Sequence, residues 1–397
     1  MHKLKYNLSV AFCIWSISLM GCNGGLTENS DNTQEIIYVE QMNKNESKYN
    51  SDETDDTAEI ITLDMLCGEE SALVKELVTI PENLNLVGMN PDKSDDYAGN
   101  YCFVTNDKGA YYVSGFGEPM GLTMYNLHIC NYDYETKNHQ LLYSSKDAIW
   151  INELCATNKH LVWLEHIRND EGVIDYYVKL FEFKTGEVIT LAVCGMDICI
   201  EMSDEYITWY DLGNEEHKER IVVYDIKKSE YYYLEEDIKL YAPYERLHIV
   251  DNRITYFSEE DGKKYVNQHN LMTGEVISIC LDNNQKLAGC FSNKDYIGWY
   301  TDYTSGIIHI CEIKTGKHYE LNTTNDLEYF DVMLYDKLYI NDHKSNCIYA
   351  YDLDTHSANY QKLDKAYIFS FYNTDKEKAN VNVQFADRDG LTIMEFN

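Results

Sequence analysis

The chain has 397 residues, with 33 Lys or Arg against 67 Asp or Glu, and its formal net charge is -34. Such a charge repels phosphate backbones and anionic lipid surfaces, and no Lys/Arg-rich tract offsets it, so the composition argues against nucleic-acid binding. The chain contains 35 Tyr and only 4 Pro, which favours β-strands over other structure.

The N-terminus has the pattern of an export signal. Lys3 and Lys5 precede a 13-residue apolar stretch at 8–20, which is too short to span a membrane as a helix. The run Leu19-Met20-Gly21-Cys22 resembles the lipobox of bacterial lipoproteins, although Met is an unusual second residue. The resemblance implies cleavage before Cys22 and a lipid on its thiol, so that acyl chains hold the protein at a membrane. An ordinary cleaved signal with an unrelated Cys is the alternative.

A polar segment follows the signal. Residues 23–60 contain ten carboxylates and two Lys, with few large apolar residues. Such a segment cannot bury enough apolar surface to fold alone. We therefore expect residues 1–21 to be a signal peptide, residues 22–70 a flexible acidic tether that begins with a lipidated Cys22, and residues 71–397 one folded domain.

The folded domain is built from repeats. A hairpin pattern of alternating apolar residues around a turn recurs as FEFKTGEVITL (181–191), VYDIKKSEYYYL (223–234), HNLMTGEVISI (269–279), CEIKTGKHYEL (311–321) and YDLDTHSANYQKL (351–363). The turn residues Thr136, Thr185, Lys228, Thr273, Thr315 and Thr355 are 49, 43, 45, 42 and 40 apart. This is the period of a four-stranded propeller blade. The sequence predicts an all-β protein, a β-propeller.

A second strand repeats upstream of each hairpin. Equivalent positions of this strand hold Trp163, Trp209, Tyr256, Trp299 and Ile340. The rings could stack on a ligand, but their place among alternating apolar residues favours packing between blades.

Closure of the ring follows from the last repeat. The last blade shows only three strands before the chain stops, and residues 72–80 (ALVKELVTI) alternate suitably to supply the fourth. The sequence thus predicts seven blades closed by an N-terminal strand that pairs near 391–396. Six or eight blades are the alternatives, because the first repeat is the most diverged.

Polar connections of unequal length follow the second strand of each blade. In a propeller they share one face, and binding residues commonly lie on such loops. Their carboxylates form the candidate ligand-binding rim: Glu165, Asp211, Glu259, Asp302 and Asp342. Solvated loops without a ligand are the alternative.

No catalytic or metal-binding motif is present, and no cofactor or metal is expected. The sequence lacks G-x-S-x-G, H-E-x-x-H, a phosphate loop and C-x-x-C, and DRDG at 387–390 fits a tight turn better than a calcium loop. Twelve Cys are present, and most of those in the repeats occupy strand positions typical of small buried apolar residues. Cys194 and Cys199 are the one close pair, and a disulfide between them stays open.

The repeats resemble those of TolB-like and related bacterial propellers, in which an I-x-W strand precedes a Y-D-L-x-T-G hairpin. The resemblance covers about residues 100–397 and implies the fold and only weakly a binding or assembly role.

We expect a non-catalytic, lipid-anchored propeller in the bacterial cell envelope, outside the cytoplasm, which binds a protein, peptide or envelope polymer. The alternatives are a glycan hydrolase or lyase that uses rim carboxylates in the funnel, and an accessory subunit of a transport or secretion system.

Overall fold

The structure is a computed structural model. It describes residues 59–62, 67–70, 72–78, 97–117, 124–213, 219–234, 239–240, 247–281, 287–300, 307–322, 332–334, 337–342, 347–362, 366–373, 379–385 and 391–396. These residues belong to one compact unit. They form strands and turns, and none of them lies in a helix. The predicted signal peptide, Cys22 and the tether up to residue 58 lie outside the described residues.

Three strands precede the repeats: β1 (Glu59–Thr62), β2 (Cys67–Glu70) and β3 (Ala72–Val78). The first three repeats supply four strands each. They are β4 (Tyr97–Thr105), β5 (Gly109–Gly117), β6 (Met124–Asp133), β7 (His139–Ser145), β8 (Ala148–Ala156), β9 (His160–Arg168), β10 (Ile174–Glu182), β11 (Val188–Cys194), β12 (Ile200–Met202), β13 (Tyr206–Asp211), β14 (Arg220–Asp225) and β15 (Glu230–Leu234).

The remaining strands continue the pattern, and the innermost strand of the fourth repeat is split into two pieces. They are β16 (Lys239–Leu240), β17 (His248–Val250), β18 (Arg253–Glu260), β19 (Lys263–Asn270), β20 (Val276–Leu281), β21 (Gly289–Ser292), β22 (Tyr296–Tyr300), β23 (Ile307–Glu312), β24 (His318–Asn322), β25 (Val332–Leu334), β26 (Lys337–Asp342), β27 (Cys347–Asp352), β28 (Ser357–Lys362), β29 (Ala366–Asn373), β30 (Ala379–Phe385) and β31 (Leu391–Phe396).

The described strands form seven sheets in chain order, and each sheet corresponds to one repeat whose own strands are antiparallel. The innermost strands contact one another in sequence around a ring, in the order β4, β8, β12, β17, β21, β25, β29 and back to β4. The fold is therefore an all-β propeller, with the innermost strands around a central channel.

The predicted closure by an N-terminal strand is confirmed. β3 pairs antiparallel with β31, with Ala72 opposite Phe396 and Val78 opposite Leu391. The last sheet therefore combines three C-terminal strands with one N-terminal strand, so hydrogen bonds join the two ends of the domain.

Two short strands that precede residue 71 also pair with the repeats. β1 pairs in parallel with β24, and β2 pairs in parallel with β28, so both add a fifth strand to an outer edge. Backbone hydrogen bonds to an exposed edge hold these short strands, and such pairing needs no long apolar pattern in the sequence.

The core consists of apolar layers between neighbouring sheets. One layer joins Val113 and Ile129 of the first sheet to Trp163 of the second, and equivalent layers follow around the ring. The five equivalent positions predicted to pack between blades are all buried: Trp163, Trp209, Tyr256, Trp299 and Ile340. Packing between blades is thus confirmed for this set. Cys311 is buried in the layer between the fourth and fifth sheets, Cys130 is buried as well, and Cys280 is half-buried.

Candidate functional site

One face of the ring carries the candidate residues, and we call it the rim face. Because consecutive strands are antiparallel, the connections between second and third strands lie on the same face as those that lead from an outermost strand into the next sheet. The hairpin Asn169–Val173 between β9 and β10 and the loop 195–199 between β11 and β12 are two of these connections.

Glu165 is in β9, and only 1% of it is exposed. Its carboxylate accepts hydrogen bonds from the hydroxyls of Tyr143, at 2.9 Å, and Ser145 of the preceding sheet. Burial and the Glu165 charge raise the pKa of Tyr143, so the phenol stays protonated and donates. Glu165 therefore links the first and second sheets.

Asp211 ends β13 and forms an ion pair with Arg220. Its Oδ2 atom lies 3.0 Å from Nε of Arg220, and its Oδ1 atom accepts a hydrogen bond from the backbone of Gly213 at 3.1 Å. The guanidinium of Arg220 in turn lies 3.8 Å from the ring centroid of Tyr233. This carboxylate is committed to an ion pair with the residue opposite it in β14.

The other three rim carboxylates are less informative. Glu259 is half-buried near the end of β18, opposite Lys264 in the strand register. Asp342 ends β26 opposite Cys347, and its side chain lies outside the described residues, as does the whole of Asp302. Glu165, Asp211 and Glu259 belong to three different sheets, and the contacts recorded for Glu165 and Asp211 are to separate partners.

A polar cluster that the sequence analysis did not single out lies between the second and third sheets on the rim face. His166 Nε2 is 2.9 Å from Oδ1 of Asn152 and 3.7 Å from Oδ1 of Asp197. The Tyr176 ring packs edge-on against the imidazole, with centroids 4.7 Å apart. Asn152 and its neighbour Glu153 belong to β8, the innermost strand of the second sheet. We call Asn152, Glu153, His166, Tyr176 and Asp197 the channel cluster.

The backbone of β8 is irregular at this cluster. The register with β9 shifts between Asn152 and Cys155, and Glu153 within this bulge has a φ of 52°. A non-glycine residue in the left-handed region costs free energy, and such residues are enriched at functional sites. The bulge also changes the direction of the side chain relative to a regular strand. Nothing in the sequence AIWINELCA signals this conformation.

The pKa values of two groups in the channel cluster are shifted. Burial lowers the pKa of His166 to about 4, so the imidazole is neutral at pH 7. Desolvation by the surrounding strands and the charge of Glu153 raise the pKa of Asp197 to about 6, even though 54% of its side chain is exposed. Asn152 donates a hydrogen bond to Asp197 and accepts one from His166. A carboxyl group with this pKa can hold or release a proton near neutral pH.

Within the described ranges, no group of three or more His, Cys, Asp or Glu has an arrangement that could hold a metal ion. No helix of the described chain is long and apolar enough to cross a membrane.

Comparisons with known proteins bear on the fold. No protein-family model matches the chain, and no curated protein matches it. Among solved structures, the β-propeller domain of the trilobed protease from Pyrococcus furiosus aligns with a TM-score of 0.50 and 10% identity, over 76% of this chain and 95% of that one. This similarity supports the propeller fold.

Two further structures are less similar. A structure from a study of two prolyl endopeptidases has a TM-score of 0.49 and 11% identity over 76% of this chain, and the match spans 47% of that chain. TolB from Acinetobacter baumannii has a TM-score of 0.40 and 10% identity, over 76% of this chain and 79% of that one.

Proposed function

We propose that the protein is a non-catalytic binding propeller that a lipid on Cys22 holds to a bacterial membrane on its extracytoplasmic side. The observation that carries the binding role is the state of the rim carboxylates. Glu165 is buried beneath two hydroxyl donors, and Asp211 is paired with Arg220, so both stabilise the scaffold. The connections they support differ in length and composition on a rigid ring, which suits recognition of a partner.

The net charge of the chain limits which class of partner it can bind. Loss of residues 1–21 removes Lys3 and Lys5 and no acidic residue, which makes the formal charge -36. This favours a neutral or cationic protein, peptide or envelope polymer over an anionic one.

The anchoring is tested by Cys22→Ala. The thiol is the attachment atom, so the variant should lose labelling by a fatty-acid analogue in growing bacteria and should no longer sediment with membranes. Cys13→Ala, within the apolar stretch of the signal, is the matched control and should keep its label. Equal labelling of wild type and Cys22→Ala would contradict the proposal.

The binding face is tested by photo-crosslinking in living cells. Val173 is 46% exposed at the tip of the β9–β10 hairpin on the rim face, and Met272 is 70% exposed in the β19–β20 turn on the opposite face. A photoreactive residue at position 173 should give one defined crosslinked species, and the same residue at position 272 should not. Identical products from both positions, or none from either, would contradict binding by the rim face.

The channel cluster favours a second candidate, an enzyme that cleaves an envelope glycan. Two carboxyl groups, of which one has a raised pKa, are what acid–base cleavage of a glycosidic bond requires. The test is release of soluble sugar from isolated cell-wall polymer by the purified chain. Activity lost in both Glu153→Gln and Asp197→Asn, and kept in the exposed variant Glu171→Gln, would establish the enzyme.

A further inference from the structure

The N-terminal strands form a belt around the outside of the ring. β1 lies on β24 of the fifth sheet, β2 lies on β28 of the sixth, and β3 completes the seventh. Only five residue steps, Thr62 to Cys67, carry the chain from one outer edge to the next. Followed towards the N-terminus, the belt therefore moves backwards around the ring, and at Glu59 it has reached the fifth sheet.

The third sheet has an outer edge with apolar side chains beside it. Among the described strands, β15 pairs with β14 alone. Tyr231 and Tyr233 of β15 are 41% and 37% exposed, and Ile189 of the neighbouring β11 is 44% exposed. The Tyr231 hydroxyl donates to the Leu191 carbonyl of β11 at 2.6 Å, so these side chains meet at the junction of the two sheets.

The opposite face of β15 shows a second feature. Tyr232 packs against the layer between the third and fourth sheets, and its hydroxyl is buried without a hydrogen-bond partner among the described residues. A buried hydroxyl of this kind costs free energy unless a further group bonds to it.

The other outer edges fit less well. β24 and β28 are already covered by β1 and β2, and β3 is the outermost strand of the last sheet. β20 of the fourth sheet has no large exposed apolar side chain, and β7 of the first sheet has only Leu141. Within the described strands, the junction of β11 and β15 is therefore where exposed apolar side chains adjoin an edge with no added strand, which marks an interaction surface.

We propose that residues 36–39 of this same chain, Ile-Ile-Tyr-Val, add to the outer edge of β15 as a further belt strand. These four residues are the longest apolar run between Cys22 and β1. A continuous apolar run suits a strand that is covered on both faces, as parallel strands usually are. Like β1 and β2, the added strand runs parallel to the outermost strand it covers.

The chain is long enough for this position. Val39 and Glu59 are 20 residue steps apart, which span up to about 66 Å when extended. Five steps suffice between neighbouring outer edges at β1 and β2, so 20 steps exceed what two sheets require.

Photo-crosslinking in the full-length chain tests the inference. A photoreactive residue in place of Tyr38 should crosslink within the same chain to peptides that contain 230–234 or 188–194. Substitution of both Tyr231 and Tyr233 by Ser should lower that yield several-fold, whereas Leu141→Ser on the first sheet should leave it unchanged. Crosslinks mainly between two copies, crosslinks to other peptides, or no crosslink would each overturn it.

Hydrogen exchange gives an independent measurement on the full-length chain. Amides of residues 36–39 should exchange much more slowly than those of residues 44–50. Ile37→Pro removes a donor and should speed exchange in both 36–39 and 231–234, whereas Asn45→Pro should speed neither. Unprotected exchange at 36–39 in the wild type would overturn the inference, which does not depend on the proposed partner binding.

Discussion

In six repeats, the residue after the turn residue has the left-handed backbone conformation. Positive φ angles between 52° and 73° occur at Lys137, Gly186, Ser229, Gly274, Gly316 and His356, each directly after the turn residue of its repeat. A side chain three residues before that turn residue closes the loop, as when Asp352 accepts hydrogen bonds from the backbone and hydroxyl of Thr355 at 2.7 and 2.8 Å. The left-handed position thus explains why Gly recurs there.

Two substitutions at these turns should change the free energy of unfolding in opposite directions. Gly274→Ala should lower the free energy of unfolding by about 1 kcal/mol, because no atom lies within 4 Å of the added Cβ and only the φ of 73° opposes it. Ser229→Gly relieves the same strain and should raise the free energy of unfolding by about 0.5 kcal/mol. Urea unfolding measures both, and equal signs would contradict the account.

Glu165 offers a second prediction at this scale. Glu165→Ala leaves the Tyr143 and Ser145 hydroxyls without their acceptor, so the free energy of unfolding should fall by about 1 to 3 kcal/mol. Glu165→Gln keeps one carbonyl oxygen and should cost less. Glu187→Ala, at an exposed turn position, is the control and should change it by less than about 0.5 kcal/mol. Stability unchanged in Glu165→Ala would mean that this carboxylate has no structural role.

At the scale of elements, the layer between the fourth and fifth sheets contains three nearly parallel rings. Trp299 lies 5.3 Å from His309 and 5.5 Å from His318, between ring centroids. Burial and the neighbouring His318 lower the pKa of His309 to about 4. Glu320 of β24 lies 3.6 Å from its Nδ1 atom. The fourth sheet contributes apolar side chains such as Phe257 to this layer, and its polar side chains Thr255, Gln268 and His248 hydrogen-bond to the fifth sheet.

This layer should make stability depend on pH. An unfolded imidazole has a pKa near 6.5, so between pH 6.5 and about 4 the unfolded chain binds more protons than the folded one. The free energy of unfolding should therefore fall as the pH falls through this range. His309→Phe keeps a ring and removes the proton site, so its curve should be flatter than that of the wild type in urea titrations at several pH values.

Asp197 provides a control, because its effect on the pH dependence of stability is opposite to that of His309. Its raised pKa means that the folded chain binds more protons between about pH 6 and 3.8, which adds stability as the pH falls. Asp197→Asn should consequently steepen the loss of stability on acidification. A flatter curve in this variant would show that the carboxyl group is not shifted in this direction.

The repeats could be predicted from the sequence because each hairpin contains its own evidence: alternating apolar residues and a turn. The pairing of β3 with β31 was also predictable, since the last repeat was one strand short. β1 and β2 were not, because four residues that pair through their backbone leave no pattern. The channel cluster was missed because Asn152 and His166 are 14 residues apart on paired strands and Asp197 joins them from the loop after β11. Glu165 looked like a loop carboxylate, since its partners lie 20 and 22 residues earlier on another sheet.

At the scale of the whole molecule, the belt predicts stepwise truncation effects. Removal of residues 23–58 keeps β1 to β3 and should lower the melting temperature only slightly, through loss of residues 36–39 from β15. Removal through residue 66 exposes β24 and should lower it moderately. Removal through residue 80 also exposes β28 and β31, so the melting temperature should fall sharply and aggregation should follow. Differential scanning calorimetry distinguishes the steps, and equal melting of all three truncations would contradict the closure.

The belt also determines where mechanical tension enters the ring. A pull on the chain just before Glu59 acts first on β1 at the fifth sheet, two sheets away from the β3–β31 pairing that joins the two ends of the domain. The hydrogen bonds of β1 and then those of β2 must break before any load reaches that seam. Under tension, the two short strands can therefore detach and pair again while the ring itself stays closed.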